Sequence, residues 1–253
     1  MTSYPNVKIN LGLNVLRKRP DGFHDLETVF VPYHDIHDVL EINPAESFSV
    51  DIVKEGGIDW DPMKDLTVRA YNLLRDDFDL PPVSIYLEKH SPVGAGLGGG
   101  SADAAFTLKA LNELFELGLD ESVLAGYAAR LGSDCAFFIY NRPMFGRGKG
   151  EILSDCPVSL DGYRLEVVVP EGISVSTADA YRGIVPQVPE LSLENVLSMP
   201  VDRWKDCLVN DFEATVFARY PRLAEIKQDL YRRGAVYASM SGSGSALYGL
   251  WTK

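Results

Sequence analysis

The segment 92–105 constrains this 253-residue chain more than any other, and it reads Pro-Val-Gly-Ala-Gly-Leu-Gly-Gly-Gly-Ser-Ala-Asp-Ala-Ala. Glycine can adopt positive φ and lets a ligand approach the backbone, but it adds nothing to a hydrophobic core. Ser101 is a typical N-cap, and the apolar residues that follow it recur at helical spacing. A glycine loop that leads into a helix N-terminus collects unpaired amide groups. The segment therefore predicts a phosphate-binding site rather than a hinge.

The loop fits neither of the common nucleotide fingerprints. A P-loop requires a lysine between the last glycine and the serine, and here Gly100 is followed directly by Ser101. A dinucleotide fold requires an acidic residue about twenty positions further on, after a second strand, whereas here Asp120 caps a predicted helix. We expect the loop to be exposed, so that a larger residue at Gly99 would weaken ligand binding without disturbing the fold.

Composition excludes several classes of function. The net charge of −12 argues against binding to nucleic acids or to anionic membranes, which attract basic surfaces. The three cysteines are far apart and lack Cys-x-x-Cys spacing, so neither a disulfide framework nor a zinc site is expected. No signal peptide and no apolar run long enough to span a bilayer is found. We expect a soluble, cytoplasmic protein.

Two polar residues stand out in an early strand. Apolar and polar residues alternate over 7–16, which predicts a half-buried strand with Lys8 and Asn10 on one face. That face is either solvated or holds phosphate and hydroxyl groups, and the glycine loop favours the second alternative. Pro20-Asp21-Gly22 then predicts a turn, so that Phe23 and His24 lie at the end of a hairpin.

A carboxylate precedes a strongly apolar run at 132–139, which reads Gly-Ser-Asp-Cys-Ala-Phe-Phe-Ile. From the residues alone, Asp134 is more simply a cap for the next element than a catalytic group. A second glycine-rich loop, 237–247, lies between two predicted short strands and is therefore a structural loop rather than a linker. Arg147 and Lys149 are either site residues or solvated charges.

The glycine segment resembles the second motif of the GHMP kinases, the superfamily of galactokinase, homoserine kinase, mevalonate kinase and phosphomevalonate kinase. Segments 8–24, 132–138 and 240–246 are similar to further family segments in the same order. Lys-x-Asn-Leu followed by Arg-x-Asp-Gly-Phe-His is typical of one branch, the 4-diphosphocytidyl-2-C-methyl-D-erythritol kinases of the non-mevalonate isoprenoid pathway. The resemblance covers nearly the whole chain.

This resemblance implies phosphorylation of the 2-hydroxyl of the cytidyl substrate, with ATP and Mg²⁺ as cofactors and a small-molecule cytidine diphosphate substrate as partner. The oligomeric state stays open. It makes Asp134 the catalytic base and Lys8 the residue that orients it. The implied ATP-binding residues are Lys89, Pro92, Gly94, Gly96, Leu97, Gly98, Gly99, Gly100 and Ser101. The implied substrate-binding residues are Asn10, Phe23, His24, Thr177, Tyr181, Gly242 and Gly244. The side-chain ligands of the metal stay unassigned.

Some alternatives remain open. Tyr181 is either the aromatic that lies against cytosine or a core tyrosine, and we expect His24 and Tyr181 to sandwich the base between them. The chain is either this kinase, another GHMP kinase such as homoserine or mevalonate kinase, or a non-catalytic ligand sensor. Asp65 stands where the branch usually has an asparagine near the adenine, which leaves recognition of the base open at that edge.

For the fold we expect an α+β protein of two lobes, with the active site in the cleft between them. The catalytic pair and the glycine loop fall in an N-terminal lobe, 1–155, and the third motif falls in a C-terminal lobe, 156–253. Relatives continue beyond the third motif, so the second lobe is expected to be either truncated or naturally short. Strands at 38–42, 48–53, 83–89 and 165–169, and helices ending near 78, 131 and 233, complete the prediction.

Overall fold

The computed structural model describes all residues from 1 to 253. Its strands are β1 Thr2–Ser3, β2 Asn6–Lys18, β3 His24–His37, β4 Val39–Pro44, β5 Ser49–Lys54, β6 Val83–Lys89, β7 Met144–Gly148, β8 Ile152–Asp155, β9 Tyr163–Val168, β10 Tyr237–Met240 and β11 Leu247–Thr252. Its α-helices are α1 Leu66–Phe78, α2 Gly99–Leu114, α3 Glu121–Ala129, α4 Cys135–Tyr140, α5 Thr177–Tyr181, α6 Leu193–Leu197, α7 Val201–Cys207, α8 Phe212–Arg219 and α9 Pro221–Arg232. These mixed elements confirm the α+β prediction.

The chain packs into two compact units that are not contiguous in sequence. The first contains Met1–Lys8, Pro32–Val93 and Gly98–Arg142, and the second contains Ile9–Val31, Gly94–Leu97 and Pro143–Lys253. The division at 155/156 stays a prediction, because it concerns functional lobes rather than packing. No helix combines the length with the apolar character that crossing a bilayer requires.

The first unit is built on a four-stranded sheet in the order β1-β4-β6-β5. Only the β5–β6 pair is parallel. Strand β6 alternates between buried and half-buried residues, so that Val83, Ile85, Leu87 and Lys89 share the buried face. The predicted strand at 83–89 is confirmed. Its last inward residue is a lysine, and that lysine needs partners inside the protein.

Helix caps define the helices of this unit. The Asp65 carboxylate accepts a hydrogen bond from the Thr67 amide at the start of α1, and Asp120 does the same for Val123 in α3. Helix α2 differs from the prediction. Its N-cap is Gly98, with φ of 75°, and Ser101 lies within the first turn. The glycines allow the helix to begin two residues before its first serine.

The second unit contains the sheet β10-β11-β9 and most of the sheet β2-β3-β7-β8, together with α5 to α9. The first residues of β2 and the last residues of β3 belong to the first unit. Its core joins the far end of β2 to the C-terminal helices and strands, and includes Leu13, Val15, Phe212, Leu223, Leu230, Met240 and Leu247. Gly234 follows α9 with φ of 91°, as predicted for a C′ residue. The second glycine-rich loop lies between β10 and β11, also as predicted.

The alternation in β2 predicted a half-buried strand, but the structure buries both of its faces. Lys8, Asn10 and Asn14 are as buried as the apolar residues between them. The strand is covered on both faces, so its polar side chains must be satisfied by protein groups or by a ligand. Alternation alone does not reveal this, because a solvated face and a polar internal face have the same pattern.

Gly12 lies within β2, and replacing it tests how tightly the strand is packed. Its φ is 71°, and a Cβ there would lie 2.5 Å from Leu208 Cδ1, whereas Gly22 has a φ of 87° and open space around it. Gly22→Ala should cost about 1 kcal/mol of unfolding free energy from backbone strain alone. Gly12→Ala should cost about 2 kcal/mol more, because the neighbouring leucines must move. Equal losses in denaturant unfolding of the two variants would contradict the tight packing at Gly12.

Candidate active site

Lys8 and Asp134 form an ion pair in the first unit. Lys8 Nζ lies 3.3 Å from Asp134 Oδ2, with the lysine side chain 4% exposed and the aspartate side chain 28% exposed. The buried ammonium is fixed by β2, while the carboxylate can be reached from solvent. A buried positive charge at this distance restrains the position of the carboxylate.

Asp134 occupies the N-cap position of α4 but does not act as a cap. Its backbone is helical, with φ of −87°, and its side chain makes no hydrogen bond to the amides of α4. The carboxylate is directed to Lys8 and also accepts a hydrogen bond from Ser133 Oγ at 3.3 Å. The simpler of the two interpretations from sequence, a capping aspartate, is therefore wrong.

The glycine loop approaches this pair at Gly98. A Cβ on Gly98 would lie 3.2 Å from Lys8 Cε and 3.1 Å from the Phe138 ring, and the positive φ of this residue also favours glycine. Gly98 therefore brings the N-terminus of α2 next to the lysine of the ion pair. The structure places Lys8, Asp134 and Gly98 together.

The first turn of α2 has the features of an anion site. The helix has 16 residues, no acidic side chain in its first turn and no side-chain cap on its first amides. Such amides, at the positive end of the helix dipole, bind phosphate groups. Gly94 and Gly100 are exposed; a Cβ on Gly94 would have no atom within 4 Å, and one on Gly100 would have only Leu66 Cδ1 near it, at 3.8 Å. The half-buried Pro92 and the buried Leu97 can offer a ligand little beyond their backbone.

Gly99 is not exposed, contrary to expectation. It is buried, and a Cβ there would lie 2.2 Å from Ser91 Oγ. A larger residue at this position would disturb the first turn of α2 itself. Ser101, on the same turn, interacts with the buried Cys135 thiol, whose pKa is raised to about 11 chiefly by burial.

A buried group of four side chains lies directly behind Gly99. We call Lys89, Asp38, Ser91 and Asp103 the Lys89 cluster. Lys89 Nζ donates to Asp103 Oδ2 at 2.6 Å, to Ser91 Oγ at 2.9 Å and to Asp38. Sequence reasoning missed Asp38 and Asp103, since Asp38 lies 51 residues before Lys89 and no local pattern joins them. A direct contact between Lys89 and ATP would require one of these bonds to break.

The two carboxylates of the Lys89 cluster titrate differently. Burial opposes ionisation of Asp38, yet Lys89 and Ser91 hold its pKa below the ordinary value. Burial, helped by the charge of Asp38, raises the pKa of Asp103 well above its ordinary value despite the nearby lysine. The pKa of Lys89 is raised, because the two carboxylates outweigh its own burial.

Within the second unit, Asn10 meets both glycine-rich segments. The backbone amide of Asn10 donates to Ser241 Oγ at 3.2 Å, and Ser241 Oγ donates to the Gly96 carbonyl at 3.0 Å. A Cβ on Gly242 would lie 3.1 Å from Asn10 Oδ1, and one on Gly96 would lie 3.1 Å from the Gly244 amide. Four of the predicted residues, Asn10, Gly96, Gly242 and Gly244, are therefore neighbours.

Asn210 holds the second glycine-rich loop and was missed as a site-supporting residue. Its amide nitrogen donates to the carbonyls of Met240, at 2.7 Å, and Gly242, at 2.8 Å. Its Oδ1 accepts from the Phe212 amide at 3.0 Å, so that the same side chain helps to open α8. The sequence signals only this second role, because a capping pattern is local and a bond across 30 residues is not.

The predicted base sandwich is not formed by His24 and Tyr181. Their rings stack directly on each other, with centroids 4.6 Å apart and planes 14° apart. The Tyr181 ring also meets the buried Phe212 edge-on at 4.8 Å. Tyr181 therefore packs against the core, and a base would have to lie on the face of His24 that is turned away from Tyr181.

The remaining predicted residues lie at the edges of the second unit. Phe23 is 58% exposed at the tip of the hairpin, and Lys149 Nζ lies 4.9 Å from the centroid of its ring. Thr177 Oγ1 shares a hydrogen bond with Ser243 Oγ at 3.2 Å, which ties α5 to the second glycine-rich loop. Arg147 pairs with Glu27 at 2.9 Å.

Comparison with known proteins agrees with this geometry. The family model described as "GHMP kinases N terminal domain" matches residues 65–142, and the one described as "GHMP kinases C terminal" matches residues 193–253. The chain is 52% identical over 255 residues to a 4-diphosphocytidyl-2-C-methyl-D-erythritol kinase from Bacteroides fragilis, covering 100% of this chain and 92% of that protein.

The chain is also similar in structure to solved kinases. A crystal structure of 4-(cytidine 5'-diphospho)-2C-methyl-D-erythritol kinase superposes with a TM-score of 0.82 at 35% identity, covering 99% of this chain and 90% of that one. A mevalonate kinase superposes with a TM-score of 0.72 at 12% identity, over 100% of this chain and 91% of that one. At this identity the second match shows the fold alone.

Gly100 offers a test of the anion site that spares the fold. Gly100→Val should lower the affinity for ADP about tenfold, because the added methyl groups crowd the exposed first turn of α2, where a Cβ has only Leu66 Cδ1 near it, at 3.8 Å. Gly126→Val is the matched control, because Gly126 is also helical, exposed and free of close neighbours. Equal ADP affinities of the two variants, measured by calorimetry, would remove this turn from the site.

Proposed function

Because the chain belongs to the GHMP kinase family, in the group of the 4-diphosphocytidyl-2-C-methyl-D-erythritol kinases, we propose that it phosphorylates the 2-hydroxyl of 4-diphosphocytidyl-2-C-methyl-D-erythritol. As a member of this family it uses ATP as the phosphoryl donor. The reaction belongs to the non-mevalonate pathway of isoprenoid synthesis. The observation that carries the proposal is the Lys8–Asp134 ion pair beside Gly98 and the open N-terminus of α2.

Phosphoryl transfer requires positioning and charge neutralisation more than covalent catalysis. The amides of the first turn of α2 hold the phosphates of ATP, with the exposed Gly100 leaving room for a close approach. The net charge of the chain is −12, so local groups of this kind must supply the attraction. The remaining predicted ATP-binding residues, Pro92, Leu97 and Ser101, contribute backbone or hydroxyl groups along the same stretch.

Asp134 accepts the proton of the attacking hydroxyl. Its carboxylate is accessible to solvent and makes no cap hydrogen bond to α4. Lys8, fixed in the buried strand, orients that carboxylate from 3.3 Å and lies close enough to Gly98 to neutralise charge on a phosphate held there. Asp134 therefore acts on the attacking hydroxyl, and Lys8 acts on Asp134 and on the phosphate.

Mg²⁺ accompanies ATP in this proposal. No group of three or more His, Cys, Asp or Glu side chains is arranged to hold a metal ion. Mg²⁺ bound with a nucleotide takes most of its ligands from phosphates and water and only one or two from protein oxygens. Asp134 and Ser101 have side-chain oxygens of that kind at this end of α2. The bound ion would neutralise phosphate charge.

The second unit recognises the substrate. Asn10, Gly242 and Gly244 offer amide and backbone groups to the acceptor, and Thr177 secures the loop that carries the two glycines. The cytosine lies on the open face of His24, which is backed by Tyr181, with Phe23 and Lys149 nearby on the hairpin tip. We propose no nucleic-acid or membrane partner and a cytoplasmic location.

An ADP-release assay with three acceptors tests this function. The cytidyl substrate should support turnover, whereas mevalonate and homoserine should support little or none, since neither has a base to stack on His24. Turnover with mevalonate or homoserine at a rate equal to that of the cytidyl substrate would contradict the proposed specificity. A protein that binds ATP and the cytidyl substrate but releases no ADP would be a sensor instead.

Asp134→Asn should lower kcat by about 10²- to 10⁴-fold, because the amide keeps the shape of the side chain but cannot take a proton. Lys8→Met should cause a similar fall, and the double variant should be little worse than either, since the two residues act as a unit. Asp76→Asn, an exposed aspartate on α1, is the control and should keep the parent kcat. If folded Asp134→Asn enzyme kept kcat within about threefold, the proposed base would be wrong.

His24→Ala should lower kcat/KM for the cytidyl substrate by about tenfold or more, since stacking of an aromatic ring on a base contributes about 1–3 kcal/mol. The KM for ATP should hardly change, because ATP is placed at α2 instead. His34→Ala, which removes an exposed histidine from β3, serves as the control. Equal losses for both substrates would mean that His24 supports the fold rather than specificity.

A further inference from the structure

A buried hydroxyl in the second unit links two residues of β2. Thr28 of β3 is buried, and so is Asn10 of β2. Thr28 Oγ1 lies 2.5 Å from the carbonyl oxygen of Gly12 and 3.0 Å from Asn10 Nδ2. Sequence reasoning missed Thr28, because the two partners lie 16 and 18 residues before it and no local pattern joins them.

The chemistry of these groups fixes the direction of both hydrogen bonds. A carbonyl oxygen can only accept, so the one hydroxyl proton of Thr28 goes to Gly12. Thr28 Oγ1 must then accept from Asn10, whose only side-chain donor is the NH₂ group. A flipped amide would place Asn10 Oδ1 against Thr28 Oγ1, two buried acceptors with no proton between them, which is costly. The Asn10 amide therefore has one favoured orientation.

The backbone of Asn10 is held on both sides as well. Its amide donates to Ser241 Oγ at 3.2 Å, and its carbonyl accepts from Tyr248 Oη at 2.9 Å. Both partners are buried. These bonds fix where Asn10 lies, and the bond to Thr28 fixes how its amide is turned. The position of Asn10 Oδ1 is thus determined before a ligand binds.

The fixed oxygen lies against the second glycine-rich loop. A Cβ on Gly242 would be 3.1 Å from Asn10 Oδ1. Because Gly242 has no Cβ, no side-chain carbon occupies that space. Asn210 keeps the loop in place by donating to the Gly242 carbonyl at 2.8 Å. A hydrogen-bond acceptor of known orientation therefore stands among the residues proposed to bind the acceptor substrate.

We propose that Thr28 is a positioning residue for the acceptor substrate: it holds the Asn10 amide so that Oδ1, rather than Nδ2, is presented to the substrate and accepts a hydrogen bond from a hydroxyl of its polyol chain. This inference rests on the proposed function, since it takes Asn10 to bind the acceptor. Thr28 itself touches Asn10 and Gly12, and acts on the substrate through Asn10.

The orientation matters because the cytidyl substrate carries two kinds of oxygen. Its polyol hydroxyls can donate a proton, whereas the oxygens of its ionised diphosphate can only accept. An amide NH₂ group would bind either kind, but a fixed carbonyl oxygen binds a hydroxyl and repels a phosphate oxygen. Thr28 thereby favours the placement of the polyol, rather than the diphosphate, beside Asn10.

Thr28→Val tests this role, because valine has the shape of threonine without the hydroxyl. The value of kcat/KM for the cytidyl substrate should fall about tenfold, as expected when an oriented hydrogen bond is lost. The KM for ATP should keep the parent value, because ATP is placed at α2. The inhibition constant of cytidine diphosphate should also keep it, since this ligand has the base and the diphosphate but no polyol chain.

Two further variants separate the hydroxyl from the packing. Thr28→Ser keeps the oxygen and should keep the parent kcat/KM. Thr107→Val is the matched control, because Thr107 is also buried and its hydroxyl donates to a backbone carbonyl, that of Asp103, at 2.8 Å. It should likewise keep the parent kcat/KM. A tenfold loss in either variant would overturn the inference.

A double variant tests whether Thr28 acts through Asn10. Asn10→Ala removes the amide, so adding Thr28→Val to it should cause no further loss of kcat/KM for the cytidyl substrate. Losses that multiply in the double variant would mean that Thr28 acts independently of Asn10, and they would overturn the inference.

If Thr28→Val folds poorly, Thr28→Cys takes its place, because a thiol tolerates burial but is a weak acceptor. It should lower kcat/KM for the cytidyl substrate in the same selective way. A folded Val or Cys variant that keeps the parent kcat/KM, or that weakens ATP and cytidine diphosphate as much as the substrate, overturns this inference and leaves the proposed function intact. A parent protein that does not turn over the cytidyl substrate overturns both.

Discussion

A single buried ammonium fixes the position of the glycine loop. Lys89 ties the end of β6 to the β3–β4 connection through Asp38 and to helix α2 through Asp103. A charge removed from water is costly unless its partners stay in place. The loop between Lys89 and α2 therefore begins and ends at fixed points, and the amides of α2 hold their positions without a ligand. The proposed anion site is thus organised before any phosphate arrives.

Local patterns in the sequence predicted most of the secondary structure. The alternation in β6 depends on residues within one element, and the structure has this strand where the pattern indicates. The start of α2 differs because Gly98 can enter the helix from a left-handed conformation, which no propensity for Ser101 reveals. The pattern within β2 also could not predict that its polar face is buried, because burial depends on the distant residues that cover the strand.

The site was predictable only in part. The residues alone made Asp134 an ordinary cap, and the family resemblance was needed to pair it with Lys8, which lies far away in the chain. The stack of His24 on Tyr181 and the second carboxylate of the Lys89 cluster have no signature at all, because they arise from the packing of distant segments. Glycine density was also misleading in detail. Gly94 and Gly100 leave room for a ligand, but Gly99 makes room for Ser91.

Strand β2 has a consequence for how this protein can be divided. Its residues up to Lys8 belong to one compact unit and those from Ile9 to the other, and the chain crosses between the units at four further places. No single cut in the gene yields a fragment with a whole unit. Neither unit can be transplanted as a cassette, expressed alone or exchanged with a relative by one crossover. Recombination within such a gene preserves function only where both parents share the same interleaved plan, so the two halves must evolve together.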